Sequence, residues 1–132
     1  MIDFILNNKP ALVGLHLGFA ILGIDGFIWL FGEILARSEH RRRIIFSAVL
    51  GIAGFALSWL IGGYYYVKFY GAIVKPIIKA GNVPWVHDVV MEAKEHIFLF
   101  IIPIAFVALF AALLDERALE ESKIRKPLLF LI

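Results

Sequence analysis

The chain of 132 residues contains no cysteine. That single absence removes disulfides, thiolate metal sites, iron–sulfur clusters and covalent c-type haem attachment, so any metal must be held by His, Glu, Asp or Met. Charge is also scarce, at 18% of residues, and it falls in clusters. Between the clusters lie uncharged runs at Ile44–Val67 and Ile97–Leu114, 24 and 18 residues long. These are membrane-spanning lengths. The opening Met1-Ile-Asp-Phe4 carries an acid where a secretory signal would carry its positive charge, so the first hydrophobic span reads as permanent. Nucleophile elbows, phosphate-binding glycine loops and a His-Glu-x-x-His helix are absent too, which leaves hydrolase and nucleotide-binding readings without a motif.

What the chain has in abundance is apolar surface: 61% hydrophobic residues and 11 glycines. A water-soluble globule cannot bury that much. A soluble enzyme domain, a disordered tail and a free nucleic-acid-binding module are excluded, and the net charge of +2 carries no argument for nucleic acid. The partner implied is the lipid bilayer, with a homo-oligomer or a larger membrane complex as further associations.

Helical signals divide the chain into an all-α membrane bundle. The first span is expected at about 10–36, opened by Pro10 and closed by Arg37. The short turn Arg37-Ser-Glu-His-Arg-Arg-Arg43 returns a second span, about 44–70, antiparallel to the first. That span ends in a tyrosine-rich stretch, Tyr64 to Tyr70, resembling an interfacial aromatic belt. Pro76, Gly81 and Pro84 mark a loop or interfacial segment, and a third span is expected at about 88–114. After Pro127 five apolar residues read either as a short interfacial tail or as the start of a fourth span, 127–132, which would make the chain a fragment and complete a four-helix bundle of two hairpins. Eight lysines and arginines flank the Arg37–Arg43 turn and the Arg117–Lys126 region, against five at the opposite ends. The positive-inside rule then makes this a multi-pass plasma-membrane protein with its amino terminus outside.

Few polar residues interrupt the spans. At 100° per residue His16 shares a face with Leu12, Ala20, Gly23 and Phe27, opposite a stripe of Gly14, Gly18, Asp25 and Gly32. Gly14 and Gly18 form a Gly-x-x-x-Gly pair, and the second span carries a complementary small stripe, Ser47, Gly51, Gly54, Ser58 and Gly62. A turn near His40 sets Asp25 level with residue 55, within reach of the Ser58 hydroxyl. Asp25 and Ser58 then act either as helix glue or as a proton relay. Glu33 lies one turn from Arg37 and reads as its ion-pair partner, while His40 and His87 read as ordinary interfacial histidines.

His16 and His96 lie at matching depths. His16 is 21 residues from Arg37 and His96 is 19 from Asp115, so their levels agree within roughly 3 Å on parallel helices. Two histidines at one level on the first and third spans suit axial ligation of haem b, with Phe27 and Phe100 as walls, Ala20 and Gly23 leaving room for the macrocycle, and Glu92 as an imidazole partner. The same residues with Glu95 suit copper or zinc for transport or sensing. A third reading is a cofactor-free accessory subunit that docks through its small-residue stripes.

The first span, His16-Leu-Gly-Phe-Ala-Ile-Leu-Gly-Ile-Asp-Gly-Phe-Ile-Trp-Leu30, resembles the opening helix of copper-resistance D-type membrane proteins and the related HemJ-type protoporphyrinogen oxidases. Trp85 to Phe98, with Lys94 entering a long apolar helix, is similar to the family's entry to its third helix. The resemblance implies a small multi-helix membrane fold that binds haem b or handles copper, with His16 and Lys94 as the matching positions.

Overall fold

The computed structural model describes residues 2–132, so Met1 of the acid-bearing opening lies outside them. The described residues are helical with short turns and include no strand. A short helix α1 (Ile2–Asn7) leads into α2 (Lys9–Leu35), whose start is fixed by the Asn8 side chain accepting from the Ala11 amide at 3.1 Å and by Pro10 in the first turn. Arg37, in the left-handed region at φ 53°, turns the chain into α3 (Arg41–Tyr65).

The second helix does not stop at the tyrosines. It continues through a π-helical segment, Tyr66–Val74, into α4 (Lys75–Ala80), giving one helical rod over Arg41–Ala80. Pro76, expected in a loop, sits instead inside this rod, at the junction of the π-helical segment and α4. Only the segment 81–85 around Pro84 breaks the rod before a second π-helical segment, Val86–Met91, opens α5 (Glu92–Ala112). Two short helices follow, α6 (Glu116–Glu121) and α7 (Arg125–Leu131). Lys9–Leu35, Arg41–Ala80 and Val86–Ala112 are each long and apolar enough to cross a membrane. The seven residues of α7 are not, since a span needs about 20.

Backbone contact joins α2 to α3. A Cβ built on Gly54 would lie 2.6 Å from the Gly23 Cα, and one on Gly26 would lie 2.7 Å from the Gly51 Cα. Only glycine permits that approach. The small stripe of α3 is therefore the packed surface, with Ser47, Gly51, Gly54 and Ser58 all buried. On α2 the packed face is the one carrying Gly23, Gly26, Phe27, Leu30 and Ile34. The expected Gly14 and Gly18 pair is not used: among the described residues nothing lies within 4 Å of a Cβ at either. The reason is that a helix buries one face at a time, and the face of α2 pressed on α3 is the one carrying Gly23 and Gly26. Gly23 against Gly54 and Gly26 against Gly51 also centre the hairpin between residues 38 and 39 rather than at His40.

The core lies toward the arginine-rich end, where Leu30, Ile34 and Ala48 meet the alanine stripe Ala105, Ala108 and Ala112 of α5, capped by Leu119 and Leu128. Two arginines close helix ends there. Arg41 donates to the carbonyls of Ala112 and Leu114 at 2.8 and 2.6 Å, and Arg125 donates to that of Ile34 at 2.6 Å. Cations at helix C-termini satisfy orphan carbonyls and complement the dipole. Outside this core large apolar side chains such as Leu17, Ile28, Leu60, Phe100 and Phe110 are exposed.

Gly54→Ala must push the two backbones apart, at a cost of about 1–3 kcal/mol. Gly14→Ala meets open space. Thermal melts in detergent, followed by circular dichroism, are expected to fall for Gly54→Ala and stay level for Gly14→Ala.

Candidate functional site

The tyrosine-rich half holds a cavity of about 430 Å³ between α2, α3 and α5. His16 is its most chemically capable wall residue. The His16 ring rests on Gly62, where a Cβ would meet Nδ1 at 2.7 Å. The ring Nδ1 lies 2.9 Å from the Ser58 carbonyl oxygen and 2.9 Å from the Ser58 Oγ, while that hydroxyl donates to the His16 carbonyl at 2.9 Å. A carbonyl only accepts, so the proton belongs on Nδ1 and the Ser58 hydroxyl proton on the His16 carbonyl. Nε2 is then a lone pair, and it makes no hydrogen bond among the described residues. A ring whose far nitrogen is tied to a carbonyl is held in the orientation and tautomer a metal ligand needs.

Across the cavity, α5 presents Lys94, Glu95 and Phe98, with Met91 just before it at the end of the π-helical segment. Phe98 lies tilted against His16, with ring centroids 6.1 Å apart. Glu95 contributes a buried carboxylate oxygen, Oε1, with no hydrogen-bond partner among the described residues. Pro103 has no N–H to give the carbonyl of Leu99, another wall residue. Trp59, Tyr65 and Tyr66 complete the apolar rim from α3 and its π-helical extension.

The expected partners of His16 lie elsewhere. His96 is exposed, one helix position from Glu95 but on the neighbouring face, and its Nδ1 donates to the Glu92 backbone carbonyl at 2.6 Å. His96 is not among the residues lining the cavity beside His16, so the structure does not bring the two histidines together there. The Glu92 side chain is exposed and meets neither ring of that pair. Gly23 offers no room for a macrocycle because the Phe55 ring fills it, 2.6 Å from a Cβ placed there. Phe27 stacks on Phe55 at 5.5 Å inside the core, and Phe100 points outward.

Asp25 and Ser58 are also separated. Asp25 is exposed on the outer face of α2, and the buried Ser58 is spent on His16. The hairpin register explains this, because Gly23 against Gly54 and Gly26 against Gly51 set Asp25 level with residue 52, well short of Ser58. Glu33, 5% exposed, pairs with Arg43 at 2.6 Å and accepts from the Trp29 Nε1 at 2.8 Å. Arg37, its expected partner, instead reaches Glu120 of α6 because its left-handed backbone swings the side chain across the turn.

Lys94, Glu95, Trp59 and Tyr66 are the cavity residues that His16 periodicity alone did not single out, although the resemblance had marked Lys94. The signal available was the spacing Met91, Glu95, Phe98, a helical face in its own right. No protein-family model, no curated protein and no solved structure matches the chain.

The Ser58 carbonyl contact predicts the less common histidine tautomer, protonated on Nδ1, at His16. ¹⁵N NMR of ring-labelled protein in detergent near pH 8 measures it directly. A proton on Nε2 would contradict the geometry.

Proposed function

We propose that the chain is a plasma-membrane haem b protein whose cavity over His16 takes the porphyrin, with the His16 Nε2 as an axial ligand. The observation that carries this reading is the His16 ring itself. Its Nδ1 is fixed by Ser58, its Nε2 is free, and it borders an apolar cavity of a size typical for cofactor sites. Haem would supply redox or ligand-binding chemistry, and the surrounding residues do the rest. Ser58 holds the ring, the rim of Trp59 and Phe98 excludes water, and the Lys94 ammonium offers a partner for a propionate carboxylate.

A single histidine ligand is favoured over the pair because His96 lies on the neighbouring face of α5. This suits haem handling or ligand binding rather than simple electron transfer. The likeness of the first span to copper-resistance D-type and HemJ-type proteins points the same way, as does its matching lysine at Lys94.

Lipid would cover the exposed apolar faces of the three long helices, which a soluble chain could not leave bare. With the arginine-rich end in the cytoplasm, the haem cavity opens near the outer surface. A fourth span beginning at α7 would complete a four-helix bundle against α2 and α5, the helices α7 already touches.

Purified protein is expected to carry a Soret band that shifts on reduction with dithionite. His16→Ala should abolish it and His96→Ala should leave it intact. Loss in both variants would instead support two axial histidines, and no band in the parent protein after haem supplementation would overturn the reading. The natural absence of cysteine makes the orientation easy to test. In intact cells Asn82→Cys should react with a membrane-impermeant maleimide, whereas Ser122→Cys should react only after the membrane is opened.

A further inference from the structure

At the tyrosine-rich end, outside the His16 cavity, a second set of polar side chains converges. A ring nitrogen of His87 and one carboxylate oxygen each from Asp88 and Glu92 lie within 4.8 Å of one another. We propose that His87, Asp88 and Glu92 form a binding site for a divalent transition metal, zinc being the ion best suited to one imidazole and two carboxylates.

The local backbone is what assembles these three. In an α-helix His87 and Glu92, five positions apart, would be about 140° out of line. The π-helical segment Val86–Met91 hydrogen-bonds i to i+5 instead, which stacks His87 over Glu92. Single π-turns of this kind recur at functional sites.

A second, independent observation comes from His87 itself. It is 1% exposed, and its buried Nε2 has no hydrogen-bond partner among the described residues. Buried polar atoms are ordinarily paired, so an orphaned nitrogen on an imidazole that converges with two carboxylates calls for a cation. The other nitrogen, Nδ1, lies 3.1 Å from the Tyr70 hydroxyl. A metal on Nε2 requires the tautomer in which Nδ1–H donates, and the Tyr70 oxygen is in place to accept it and fix the ring. Tyr70 is buried and stacked on Tyr66 at 5.2 Å, so this support is rigid.

The carboxylates have the freedom the histidine lacks. Both Asp88 and Glu92 are exposed, and ligands on a tetrahedral zinc with bonds of ~2.1 Å lie about 3.4 Å apart, a contraction those side chains can make by rotation. Water would fill the remaining coordination. One competitor is present: the Lys79 Nζ lies 3.0 Å from an Asp88 oxygen. Lys79 is half exposed and can swing into solvent when a dication takes its place. The site shares no residue with the His16 cavity wall, so it stands apart from the haem reading.

Tag-free protein in detergent, stripped with a chelator, is titrated with zinc chloride by calorimetry. One zinc per chain is expected. Asp88→Asn and Glu92→Gln, both at exposed positions, should weaken binding at least about tenfold. Lys79→Ala should tighten it, an effect that loss of folding cannot mimic. His87→Gln should abolish binding, but its buried position makes misfolding a competing cause. Copper(II) electron paramagnetic resonance of the parent protein therefore serves as the second measurement, with hyperfine coupling to one nitrogen expected. Absence of stoichiometric zinc binding would overturn the proposal. So would binding unchanged by Asp88→Asn and Glu92→Gln, or a copper signal from two or more nitrogens.

Discussion

The contact of α2 on α3 through Gly23, Gly26, Gly51 and Gly54 is the constraint on which the rest depends. Because backbone meets backbone there, the two helices have no freedom to slide by a residue without a collision. The fixed register carries Ser58 to His16 one end of the interface away, and it seats the His16 ring on Gly62. A histidine in that position has its Nδ1 occupied and borders the cavity. The chemistry at the tyrosine-rich end is thus set by glycine packing at the middle of the hairpin.

The opposite end is held by charge. Arg41 and Arg125 close the C-termini of α5 and α2, and Glu33, though nearly buried, is satisfied by Arg43 and Trp29. Arg125 also pairs with Glu116 at 2.5 Å, which ties α6 to the start of α7. Several of the cations that suggest an orientation in the membrane are therefore also helix caps. The two roles are compatible, since both require the arginines at the same end of the bundle.

Departures from regular helix account for much of what periodicity did not read. Face assignments at 100° per residue hold for α2 and the regular part of α3, where the small stripe Ser47 to Ser58 is buried as its spacing suggests. They fail across Tyr66–Val74 and Val86–Met91, because π-helical turns rotate every following side chain. Depth alone pairs His96 with His16, but Glu95 and Phe98 occupy the wall and His96 is exposed. His87 read as an interfacial histidine because its neighbours Tyr70 and Glu92 are distant or out of phase in a regular helix.

Composition and run length by themselves determined that the chain is helical, with three segments long and apolar enough to cross a membrane, since an apolar run of that length has few other ways to satisfy its backbone. They also singled out His16, a rare polar residue in an apolar span. The tertiary structure alone decided its partners. Which face of α2 packs, which residue of α5 lies opposite His16, and where Asp25 and Glu33 point all follow from the glycine contacts of the hairpin and two π-helical segments. A helix pattern repeats every 3.6 residues, so sequence narrows the packed face only to a few stripes, and close contact of particular atoms selects one.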